Sequence, residues 1–194
     1  MRYLIIIFSI CILTACHLTT EPKTAKSVEM YSREGDMVGT ATLTESPEGV
    51  EIELKLEGLT PGWHGLHIHE IGECEAPDFK SAGNHFNPEN KEHGLLHPKG
   101  PHVGDLPNIE ADHNGKVEET VVVREATLLE GKNSLTEKSG TALIVTSQRD
   151  DGITQISGDS GERIICGEIK GEDEKKDEEE PSDPTEEGED EEEA

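Results

Sequence analysis

The sequence predicts an all-β fold, a sandwich or barrel, on three observations. VEIELKLEG at 50–58 alternates strictly, with Val50, Ile52, Leu54 and Leu56 on one face and Glu51, Glu53, Lys55 and Glu57 on the other. That period of two marks a half-buried strand of an antiparallel sheet. Further short runs rich in Val, Ile and Thr recur between Gly- and Pro-containing turns, and no amphipathic helical stretch of persuasive length interrupts them.

In chain order, Arg2 precedes an apolar run over 4–13 that is too short to span a bilayer comfortably and has the shape of a targeting segment. LTAC at 13–16 sets a small residue and a cysteine directly after that run, which resembles the bacterial lipoprotein signal. The expected organisation is a signal peptide over 1–15 and a spacer over 16–26 after a lipidated Cys16. At roughly 0.8 kcal/mol per buried methylene, several acyl chains on Cys16 would hold the protein on the extracytoplasmic face of a bacterial membrane. An ordinary secretory peptide with an incidental cysteine is the alternative.

The folded domain is expected over 27–170, with strands at 28–32, 38–44, 50–58, 63–69, 117–124, 141–146 and 163–169. Two stretches between them carry no strand pattern. Residues 70–112 are rich in Gly, Pro and Asn and too long for an idle loop, so something must hold them in place. Residues 148–162 are also turn-rich. The tail, 171–194, sets 15 acidic residues against Lys175 and Lys176, which is half of the formal charge of −26. Its composition is that of a disordered, solubilising segment. A chain this acidic repels nucleic acid and anionic membrane surfaces, which excludes a nucleic-acid-binding role.

Of four cysteines, Cys11 leaves with the signal and Cys16 takes the lipid, so Cys74 and Cys166 remain as a pair. Outside the cytoplasm that pair can close into a disulfide; two separate buried thiols are the alternative.

The histidines carry the chemistry. In HGLHIHE at 64–70, His67 and His69 have the spacing that sends both imidazoles to one face of a strand, while His64 points the other way. Two fixed imidazoles suit copper or zinc, although the pair alone is equally consistent with polar surface residues. His85, His93, His102 and Asp105 follow in the long loop. Three imidazoles and a carboxylate make a tetrahedral zinc set, with bonds of about 2.0–2.2 Å. Zinc would also order a loop with so little apolar residue.

HGLHIHE, SAGNHFNP, KEHG, PHVGDLPN and SGDSGERIICGEI together resemble the motifs of the copper/zinc superoxide dismutases in a bacterial lipoprotein form, over about residues 28–170. The resemblance implies a Greek-key β-barrel of about eight antiparallel strands, a zinc loop closed by a disulfide and a second loop over copper. By position, His67, His69 and His85 match copper ligands, and His85, His93, His102 and Asp105 match the zinc ligands, with His85 bridging the two metals. Cys74 and Cys166 match the disulfide, Arg163 the arginine that guides the anion, and Asp150 the aspartate that orients ligands of both metals. The family's fourth copper histidine has no counterpart here: the strand reads TALIVTSQRDDG, which puts Thr146 at that position, and no histidine follows His113.

The expected activity is therefore conversion of superoxide to oxygen and peroxide outside the cytoplasm, with zinc bound and copper held in a weakened site. A zinc-stabilised domain without catalysis and a cuprous-binding lipoprotein are the alternatives. Monomer and homodimer are both open. His97 and Arg149 are further candidates, the first as a replacement ligand that swings in, the second as an added positive charge near the site.

Overall fold

The computed structural model describes residues 25–171. The expected signal peptide, Cys16, most of the spacer and the acidic tail after 171 lie outside the described residues.

Nine strands form among the described residues: β1 (Ala25–Ser32), β2 (Met37–Ser46), β3 (Gly49–Leu56), β4 (Gly62–His64), β5 (Leu66–His69), β6 (Ile109–Ala111), β7 (Val117–Arg124), β8 (Thr141–Thr146) and β9 (Arg163–Ile169). Seven make one sheet in the order β5-β8-β9-β1-β2-β3-β7, and β4 pairs with β6. All of these pairings are antiparallel. The non-sequential neighbours β5/β8, β9/β1 and β3/β7 are the Greek-key crossings. At one edge of the sheet, β4 runs across Gly65 into β5. At the other edge β6 lies against β7, where the Glu110 N–H donates to Glu119 Oε1 at 2.9 Å.

The alternation in β3 explains the core. Its Val, Ile and Leu side chains are buried and its Glu and Lys side chains exposed. Ile52 sits between Leu43 of β2 and Val121 of β7, both buried. Each such fully buried side chain contributes about 1.5–3 kcal/mol. The core continues through Val28, Met30, Leu66, Ile68, Leu143 and Val145.

Three expectations need correction. The strand expected over 63–69 is two strands broken at Gly65, where the chain passes from β6 to β8 as its partner. A Cβ at Gly65 would lie 2.4 Å from Thr146 Oγ1, so a side chain there would have to displace the Thr146 hydroxyl. The segment 70–112 also contains structure: a short 3-10 turn (Lys80–Ala82) and β6. At three residues each, neither offers enough periods to stand out in the sequence. The chain also joins the sheet at Ala25, two residues before the expected boundary.

Candidate metal centre

All four residues of β5 are buried, because the strand is covered along both edges. One edge pairs with β8, which sets His67 opposite Ile144 and His69 opposite Ala142. The long loop occupies the other edge. Ile68 N–H donates to Gly104 O at 2.9 Å, Phe86 N–H to Ile68 O at 2.8 Å and Leu106 N–H to Leu66 O at 3.3 Å. These backbone bonds bring His85 opposite His69 and Asp105 opposite His67. The loop is thus placed by β-type pairing as well as by its polar side chains.

Asp105 is the hub. Its Oδ1 lies 2.8 Å from His85 Nδ1, 3.1 Å from His93 Nδ1 and 3.2 Å from His102 Nδ1. Its Oδ2 accepts the Gly94 and His102 N–H groups at 2.8 and 2.9 Å. Burial alone would raise this carboxyl, but the bonds from His102, His85, His93 and Gly94 hold it far below the usual carboxylate range. Three imidazole nitrogens and a carboxylate oxygen converge here, with the ligand atoms all within 4.8 Å of one another.

His67, His69 and His85 form a second group that meets the same criterion and shares His85. The His67 and His85 rings stack with centroids 4.1 Å apart. His69 Nδ1 donates to Gly83 O at 3.0 Å, which leaves Nε2 free. His67 Nε2 donates to Asp150 Oδ2 at 2.7 Å. Its Nδ1 is buried with no hydrogen-bond partner among the described residues. An orphaned buried imidazole nitrogen is costly unless it binds something, so this donor set fits a metal ion. Burial and the neighbouring charges of His85 and Arg163 keep His69 well below its usual range, and burial lowers His85 to about 4. Both are therefore neutral at pH 7, as metal ligands must be.

Asp150 joins the two groups. It accepts from His67, and His93 Nε2 lies 3.3 and 3.0 Å from its two oxygens. Asn108 clamps its backbone: Asn108 Oδ1 accepts the Asp150 N–H at 2.8 Å and Asn108 Nδ2 donates to Asp150 O at 2.9 Å. Flanked by Asp105 and Asp150, His93 overcomes its burial and rises to about 9.

A cavity of about 570 Å³ opens on these groups, lined by His69, His85, His102, Thr146, Gln155 and Arg163 among others. Arg163 Nη1 and Nη2 donate to Phe79 O and Gly83 O at 2.6 and 2.8 Å, so the Gly83 carbonyl positions both Arg163 and His69. Thr146 ends β8 on the cavity wall, 4% exposed, and its hydroxyl donates to Gln148 O at 3.1 Å. The Cys74–Cys166 disulfide, with its Cα atoms 5.8 Å apart, ties the long loop to β9. A larger cavity of about 700 Å³ lies between β1 and this disulfide, and no histidine lines it.

The structure thus gathers His67, His69, His85, His93, His102, Asp105, Asp150, Thr146 and Arg163 in one region. His64 is buried elsewhere, its nitrogens 2.8 Å from Thr146 O and Thr60 O. His97 and Arg149 do not line the cavity with His69 and Arg163, and Arg149 lies beside Trp63 and Asn108. Sequence reasoning missed Asn108 and Gln155. Gln155 Oε1 accepts the His93 N–H and its Nε2 donates to His93 O, both at 2.9 Å, which pins the second loop to the first. Asn108 stood inside the quoted PHVGDLPN motif, but its partner is 42 residues away.

Residues 37–169 match the copper/zinc superoxide dismutase (SODC) family. The chain belongs to that family. It is 48% identical over 144 residues to a superoxide dismutase (Cu-Zn) of Aquifex aeolicus, covering 73% of this chain and 84% of the relative. It is 44% identical over 151 residues to a superoxide dismutase-like protein of Bacillus subtilis, covering 76% and 77%. The crystal structure of a SOD-like protein from Bacillus subtilis superposes with a TM-score of 0.72 at 42% identity, covering 74% of this chain and 97% of that one. The Cu/Zn superoxide dismutase from Brucella abortus does so at 0.60 and 32%, covering 75% and 99%.

Proposed function

We propose that this chain is an extracytoplasmic, lipid-anchored superoxide dismutase-like metalloprotein with a complete zinc site and a copper site short of one ligand. Lipidation of Cys16 after removal of 1–15 would supply the anchor, 16–26 the spacer and 171–194 an acidic solvated tail. The observation that carries the reading is the pair of buried ligand groups that share His85, one of which leaves His67 Nδ1 unpartnered.

In this reading His85, His93, His102 and Asp105 would hold zinc, and His67, His69 and His85 would hold copper. When bound, copper supplies one-electron redox chemistry towards superoxide. The chain's residues do the rest. Arg163, held by two backbone carbonyls, offers a fixed positive charge to an anion in the cavity. Asp150 orients His67 and His93 through hydrogen bonds, as outer carboxylates commonly do for metal-binding imidazoles. Thr146, on the cavity wall with its hydroxyl turned to Gln148, leaves the fourth copper position without an imidazole.

The test is metal content and superoxide dismutation of the zinc- and copper-reconstituted protein beside Thr146→His. The variant is expected to dismutate at least about tenfold faster, the lower end of what one metal-site interaction is worth. Equal rates would show that the native chain does not need the missing imidazole. No activity in either protein would remove the dismutase reading and leave a zinc-stabilised domain.

A further inference from the structure

Resting on the copper assignment above, the geometry points to a selective site: we infer that His67, His69 and His85 hold copper as the cuprous ion and that Thr146 disfavours the cupric ion.

The supply of donors is limited to three. His67 Nδ1 has no partner among the described residues, and the Nδ1 atoms of His69 and His85 are committed to Gly83 O and Asp105, so one nitrogen per ring remains. Among the described residues, the donor atoms gathered within 4.8 Å of one another at this group come from His67, His69 and His85 alone. Both His93 nitrogens face carboxylates, and both His64 nitrogens face backbone carbonyls. Asp150 is already engaged by His67, His93 and Gly152. Thr146 spends its hydroxyl hydrogen on Gln148 O, and its neutral oxygen is a weak donor to copper.

The three rings cannot easily recruit a fourth by moving. β5 is hydrogen-bonded along both edges, and His85 and Asp105 are in register with it. Cupric ion prefers a tetragonal set of N and O donors, whereas the closed-shell cuprous ion is satisfied by three imidazoles. Charge acts in the same direction: three imidazoles bring no negative charge to the ion, and the Arg163 guanidinium lines the same cavity as His69 and His85, so a doubly charged ion pays more than a singly charged one in this buried position. A histidine at 146, entering from the cavity wall, would restore the fourth nitrogen and reverse the preference.

The experiment uses the full chain loaded with zinc. Cuprous affinity is measured anaerobically and without thiols, by competition with a chromophoric cuprous chelator. Cupric affinity is measured by titration read from the visible copper bands and electron paramagnetic resonance. Thr146→His is expected to gain about 100-fold or more in cupric affinity while its cuprous affinity changes less than about tenfold, since a single metal-site interaction spans roughly 10–100-fold. The native chain should hold one equivalent of copper with no paramagnetic signal. A native chain that binds cupric ion as tightly as the variant overturns the inference, and dismutation by that same protein would leave the dismutase reading intact. Tight cuprous binding without dismutation upholds the inference and removes that reading. Binding of neither ion, or displacement of cuprous ion by a second zinc, overturns the inference whatever the activity.

Discussion

His93, in the group proposed to hold zinc, is poised between two carboxylates in the metal-free chain. Its two nitrogens face Asp105 and Asp150, and despite burial the pair raises it from 6.5 to about 9, so in the metal-free chain it is a buried cation. A group raised on folding stabilises fully below its unfolded value of 6.5, and that contribution is lost as pH rises through about 9. His85 acts in the opposite sense. Burial lowers it to about 4, so stability is lost as pH falls from 6.5 towards 4, where a neutral buried ring must accept a proton. The melting temperature of the chelator-treated protein is therefore expected to peak near pH 6.5 and to fall towards pH 9. In the zinc-loaded protein the metal replaces the proton at His93, so the alkaline fall should vanish. Melting curves of both forms from pH 5 to 9.5 check this; a parallel alkaline fall would mean that His93 is not displaced from its protonated state by zinc.

At the scale of elements, the site depends on how the loop lies along β5. Gly104 makes that contact possible: an added Cβ would sit 2.3 Å from Ile68 O and 2.9 Å from Phe86 N, both backbone atoms. Gly104→Ala should push 102–106 away from β5, destabilise the protein by about 1–3 kcal/mol and weaken zinc binding through His102 and Asp105. Denaturant unfolding with and without zinc measures both effects, and a neutral result would show that the loop is held by its metal alone. This edge pairing was not legible in the sequence. The strands with a wet face were: β3 announced itself by alternation, because one side meets the core and the other meets water. β5 is buried throughout, so its histidines looked like a face exposed to something when they are enclosed by loop backbone. The ligand set was readable because His and Asp chemistry is local to each residue. Asn108 and Gln155 were not, because an amide becomes informative only when its partner, distant in sequence, is known.

Across the whole molecule, the charge opposes the chemistry. The chain carries −26, and half of that sits in 171–194, while superoxide is itself an anion. The cavity answers with Arg163, fixed by two backbone carbonyls, and with Lys91 on its wall. The two act over different ranges. At 0.01 M ionic strength the Debye length is about 30 Å, so the net charge of the whole chain acts well beyond its surface, whereas at 0.15 M it is about 8 Å and only charges lining the cavity are felt. Deleting residues 172–194 should therefore accelerate dismutation at 0.01 M, and the truncated and full-length rates should converge above 0.15 M. The comparison is best made in the Thr146→His background, where turnover is expected to be large enough to measure at every salt concentration. A rate difference that persists at high salt would place the tail in direct contact with the site, and identical rates at low salt would mean that steering towards Arg163 is set by the folded domain alone.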